Sequence, residues 1–204
     1  MKPTCLGICA LALAVSASGC GEYVREGRGP VIAVVTAVEA ASGVKPDEFG
    51  GTLDSDVITY VKKTINGVET RIPTIYNDLA KATIVIDLKN PSLTEPSSAN
   101  AVTFTRYRVE FIRADGRNQP GVDVPYSFDS AVTVTATPET PGVSGFELVR
   151  HTAKTEAPLV ALANNLQMIT TIARITFYGK DHAGNDVTAV GQLGITFGNF
   201  GDPD

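Results

Sequence analysis

The sequence predicts an all-β domain of about seven to nine strands, a sandwich or a barrel. Three observations lead there. From Val31 onward, apolar residues recur at every second position, the spacing of half-buried strands. Turn-forming residues separate these runs, most clearly Asn66-Gly67 and the stretch from Asp181 to Asp186. Only residues 155–163 offer a helical reading, with Thr155 as N-cap, Glu156 in the first turn and Pro158 tolerated early.

Each element follows in order. Residues 32–38 are rich in Val and Ala, follow Pro30 and read as a first strand. Residues 57–65 put Val57, Val61 and Ile65 on one face. Asn66-Gly67 then predicts a type I′ hairpin, and residues 68–72 return to Pro73, which marks an edge or a strand end. Ile84, Ile86 and Leu88 alternate with Thr83, Val85, Asp87 and Lys89. In residues 102–112, Tyr107, Val109 and Phe111 share a face with Thr105, whereas Val102 and Phe104 fall on the charged face. A bulge near Arg106 would switch the inward phase. Val132, Val134 and Ala136 alternate with Thr133, Thr135 and Thr137, a water-facing threonine row. Phe146 and Leu148 make a shorter strand. Ala173, Ile175 and Phe177 precede the turn, and Val187, Ala189, Leu193, Ile195 and Phe197 follow it on one face.

The chain has 204 residues, 43% hydrophobic and 19% charged, with 17 basic and 22 acidic side chains for a net charge of −5. That composition excludes a disordered acidic tail, a collagen-like fibre and a polytopic membrane protein. A net negative chain has no surplus cation to displace phosphate counterions, so no nucleic-acid partner is expected.

The N-terminus carries an address. Lys2 precedes a short apolar run over residues 6–15, too short to span a bilayer. Ala17-Ser18-Gly19-Cys20 follows and resembles the lipobox of bacterial lipoproteins. That resemblance implies removal of residues 1–19 and a diacylglycerol thioether on Cys20, hence a membrane anchor. The small residues also fit cleavage after Ala17. Cys5 and Cys9 would leave with the signal, so Cys20 would be the single cysteine of the mature chain, unable to form an internal disulfide. Stable anchoring takes more than one acyl chain, which lipoprotein maturation supplies. Residues 20–30 read as a polar, glycine-bearing tether, residues 31–200 as one domain and residues 201–204 as a tail. Gly21, rather than an aspartate, points to the outer membrane of the cell envelope.

The segment from Ile172 to Phe197, with Asp181-x-x-Gly184-Asn185 at its turn, resembles the last two strands of bacterial immunoglobulin-like domains. The resemblance implies an immunoglobulin-like sandwich of two antiparallel sheets and says little of function, because this architecture hosts unrelated tasks. The chain lacks Trp and exceeds one such domain in length, so extra edge strands or a long connection between residues 43 and 53 are expected. A jelly roll is the alternative.

No catalytic constellation emerges. His151 and His182 are isolated, with no HxxxH or CxxC spacing for zinc. Ser144 in Gly142-Val143-Ser144-Gly145 misses the nucleophile-elbow spacing, and a strand follows it rather than a helix. Asp54 with Asp56, Asp123 with Asp129, and Asp181 with Asp186 read as turn-forming and solubilising pairs. The weak calcium candidates are Asp181 and Asp186. Arg106, Arg108, Arg113 and Arg117 form the most basic stretch, interrupted by Glu110 and Asp115, and read as a solvent face able to meet anionic envelope polymers. Tyr126 and Phe128 are the closest exposed aromatic pair. The expectation is a lipid-anchored, non-catalytic binding or structural module of the bacterial envelope, without cofactor, whose partner is an unidentified envelope protein or polysaccharide. The alternatives are an accessory subunit of an envelope or secretion complex and a hydrolase with a carboxylate site.

Overall fold

Alternation becomes hydrogen-bonded ladder along most of the chain in a computed structural model that describes residues 29–90 and 97–200. The signal segment, Cys20, most of the tether and the tail lie outside the described residues. Ten strands form: β1 (Val31–Ala41), β2 (Thr52–Asp56), β3 (Thr59–Ile65), β4 (Val68–Thr74), β5 (Asp78–Leu88), β6 (Val102–Ile112), β7 (Phe128–Ala136), β8 (Gly142–Val149), β9 (Ile169–Asp181) and β10 (Asp186–Gly198). One helical turn, α1 (His151–Lys154), and a 3-10 turn (Leu159–Asn164) lie between β8 and β9.

The strands build an all-β sandwich. One sheet has the order β1-β5-β8, the other β2-β10-β9-β6-β7, while β3 and β4 pair only with each other. The sheets approach closely where β1 crosses β10: a Cβ on Gly191 would lie 2.6 Å from Val38 Cγ2, so no larger residue fits there without displacement. Ile84, Ile86, Phe104, Tyr107, Val109, Phe177, Leu193, Ile195 and Phe197 are buried between the sheets. Phe146 sits centrally, its ring centroid 5.0 Å from that of Tyr107 and 5.4 Å from that of Phe177. The Tyr107 hydroxyl keeps its polar end satisfied by donating to the Glu147 carbonyl at 3.0 Å.

The bulge expected near Arg106 is present. Register shifts between Phe104 and Arg106 against both β7 and β9. One extra residue turns Val102 and Phe104 inward on the same side as Tyr107, Val109 and Phe111. Gly179 faces Phe104 across the ladder, and a Cβ there would lie 2.5 Å from the Thr103 carbonyl oxygen.

Four expectations are corrected. The strands number ten among the described residues, beyond the seven to nine expected. The sheets are not wholly antiparallel, because β2 runs parallel to β10, from Gly194↔Thr52 to Gly198↔Asp56. Residues 57–65 are not one strand. Val57 enters the core, while Val61 and Ile65 belong to β3 and are exposed. The cause is a polar clasp: the Asp56 carboxylate accepts from Thr59 Oγ1 at 2.8 Å and from the Phe200 amide at 3.2 Å, turning the chain out of the sheet. Finally, Thr155 is the C-cap of α1, not an N-cap. Pro158 lacks an N–H and disfavours helix at the residue before it, so the segment beyond coils only as a 3-10 turn. No helix among the described residues is long and apolar enough to cross a membrane.

Candidate functional site

The sequence between β1 and β5 carries the features that the sandwich itself does not need. β3 and β4 form a two-stranded arm closed at Asn66-Gly67, whose φ angles of 52° and 82° are those of the predicted type I′ turn. Period-two geometry sorts its side chains. Val61, Lys63 and Ile65 share one face with Val68, Thr70 and Ile72, through the pairs Val61↔Ile72, Lys63↔Thr70 and Ile65↔Val68. Val68 is 64% exposed and Ile65 43%, so the face is open to water. A lone hairpin is marginal in water, and this one spends aliphatic side chains on solvent.

A groove of about 570 Å³ opens beside the arm's root. Val44, Phe49, Leu53 and Phe200 supply apolar wall, Asp54 and Asp56 carboxylates, and Lys45 and Glu48, paired at 3.1 Å, complete the charged lining. Asp56 serves both places, lining the groove while its carboxylate holds Thr59, the first residue of β3. Burial pushes the Asp56 carboxyl above its ordinary value of 3.8, against the lowering effect of its hydrogen bonds. Asp54 is exposed and makes no ion pair among the described residues.

Beneath the root lies an ionic knot. Lys154, 2% exposed, places Nζ 2.9 Å from Asp78 Oδ2 and donates to the Asp56 carbonyl at 2.8 Å. Asp78, fully buried, also accepts from Ser55 Oγ at 2.6 Å and from the Gly43 amide at 2.8 Å. The knot ties the loop after β1, β2, β5 and α1 together. Sequence reading missed Asp78 and Lys154. An aspartate at the inward phase of Asp78, Ala80, Ala82 and Ile84 was the available signal; Lys154 left none.

The other sequence candidates are structural in their contacts. Asp181 Oδ1 accepts from the Ala183 and Asn185 amides and Oδ2 from Asn185 Nδ2, so the carboxylate closes its own turn. Asp186 pairs with Lys180, and both aspartates border one shallow groove with Thr103 and Arg106. No group of three or more His, Cys, Asp or Glu residues able to hold a metal occurs among the described residues. His151 opens α1 and His182 lies in the β9–β10 turn, both exposed. Ser144 lies within β8, paired with Ala82. Asp123 accepts from the Gln119 amide within its own loop. Arg106 and Arg108 both bind Asp129, at 2.8 and 2.6 Å, while Arg113 and Arg117 grip Asp115 and hold its carboxyl well below the usual range. Each arginine of the basic stretch thus already has an acidic partner. Tyr126 is exposed, whereas Phe128 is covered by the Arg150 guanidinium at 3.8 Å.

What the arrangement offers chemically is contact: an exposed arm with one open aliphatic face and an acidic groove at its foot. Comparison with family models, curated proteins and solved structures finds no match to the chain.

Proposed function

We propose that this chain is a non-catalytic binding module of the bacterial envelope, tethered by lipid on Cys20 and making contact through the β3–β4 arm. The arm carries this reading: an exposed aliphatic face on a hairpin that no sheet of the sandwich pairs with. Engagement of Asp56, Asp78, Asp115, Asp129, Lys154 and Asp181 in caps, knots and ion pairs supports contact over catalysis. The immunoglobulin-like reading is supported by the division of strands, three against five, with the chain crossing between sheets from β1 to β2, β5 to β6, β7 to β8 and β8 to β9. The Ala17-Ser18-Gly19-Cys20 sequence supports the anchor.

The test is photocrosslinking in intact cells. A photoreactive residue at Val68 is expected to give a discrete adduct, and one at the outward-facing Thr133 of β7 none. Equal patterns from both positions would remove the arm from the reading. Robust turnover of ester, peptide or glycoside substrates, lost on changing Asp54 or Asp56, would favour the hydrolase alternative instead.

A further inference from the structure

We infer that the arm's partner is the acidic groove of a second copy of this chain, each arm seated in the other's groove. The inference rests on the reading of β3–β4 as a contact arm and commits it to one occupant. Charge complementarity carries it. Lys63 is the single charged residue on the face shared by Val61, Ile65, Val68 and Ile72. The groove carries net acid: Lys45 in its lining is already paired with Glu48 at 3.1 Å, which leaves Asp54 and Asp56 among Val44, Phe49, Leu53 and Phe200. Lys63 and Asp54 are exposed and have no ion-pair partner among the described residues. Elsewhere on the surface, cations such as Arg106, Arg108, Arg113, Arg117 and Lys180 already have acids.

Position favours reciprocity. Asp56 both lines the groove and clasps Thr59 at the arm's root, so arm and groove are neighbours on one chain. A two-fold axis beside Asp56 would seat both arms at once and close the assembly as a dimer, rather than propagate it as a fibre. Arm against arm is disfavoured, because it would bring the two Lys63 side chains together in an apolar contact. Anchoring many copies in one membrane would raise their local concentration and favour the pair.

The experiment is sedimentation of the full chain, purified in mild detergent, over a concentration series with charge-reversed variants. Wild type is expected to dimerise. Lys63→Glu and Asp54→Lys are each expected to weaken the dimer by about tenfold or more, and the double variant to return within about threefold of wild type. Both positions are exposed, so folding is not at issue. A dimer indifferent to both single changes would overturn the proposal by placing the interface elsewhere. A wild type that stays monomeric to millimolar concentration would also overturn it. If the Val68 crosslink in cells persisted beside that monomer, the arm reading would stand with a different partner; if it vanished too, both readings would fall.

Discussion

Lys154 shows how much a single buried charge can hold. Its ammonium faces Asp78 where water does not reach, and burying the pair costs nearly what the attraction returns. Removing one partner is another matter, because the survivor stays buried and uncompensated. Lys154→Met is expected to destabilise the fold by about 3–5 kcal/mol, measured by urea unfolding, with a smaller further loss when Asp78→Asn is added. Asp56 makes a different prediction. Its folded pKa lies above 3.8, so the folded chain holds the proton more tightly than the unfolded chain. That contribution is fully present below the unfolded value and is lost as pH rises through the folded value. Asp56→Asn never ionises and can keep both bonds, accepting from Phe200 and donating to Thr59. Relative to wild type, its stability is expected to gain as pH rises above the unfolded value of 3.8, until the folded carboxyl has ionised; a difference independent of pH would refute the assignment.

At the scale of elements, the arm and the sandwich differ in what holds them. β9 and β10 pair over twelve residues and bury Ala173, Ile175, Phe177, Leu193, Ile195 and Phe197 between sheets. β3 and β4 pair over seven and bury little beyond Thr59. Replacing residues 60–73 with a short turn that joins Thr59 to Thr74 is therefore expected to leave the unfolding free energy of the sandwich within about 0.5 kcal/mol of wild type. Hydrogen exchange of the intact chain is expected to show arm amides opening long before those of β9 and β10. Cooperative loss of the sandwich on removing the arm would mean that the arm is a structural brace. Gly67 marks the arm's weak point. Its φ of 82° is costly for any other residue, although a Cβ there meets nothing, so Gly67→Ala is expected to loosen the hairpin by about 1 kcal/mol without touching the core.

For the molecule as a whole, the proposed anchor and the described domain meet at the start of β1. Gly29 is already buried, a Cβ there would lie 3.2 Å from Asp181 Oδ2 and 3.5 Å from Asn185 Cβ in the β9–β10 turn, and the Lys89 amide donates to the Pro30 carbonyl at 2.9 Å. The chain thus enters the sandwich at the end that carries that turn. Metabolic labelling with a clickable palmitate analogue is expected to mark wild type and to vanish in Cys20→Ala, with the variant leaving the membrane fraction. Unlabelled wild type would make cleavage after Ala17 the reading and the domain a freely diffusing one.

Local chemistry determined what was legible in the sequence. Strand alternation, the Asn66-Gly67 turn, the phase switch at Arg106 and the Asp181–Asp186 hairpin each depend on a few adjacent residues and the two-residue period of extended chain. From those followed the all-β class and most of the core. Tertiary structure alone decided the rest. Asp56 and Lys154 meet across 98 residues of sequence, and no periodicity announces such a contact. The break between β2 and β3 was invisible for the same reason, since the Phe200 amide that helps to clasp Asp56 comes from 144 residues away. Val57 and Val61 look alike in sequence, one interior and one exposed in the fold, because burial depends on what the other sheet covers. The arm and the groove became candidates only once packing had settled which apolar residues the sandwich leaves in water.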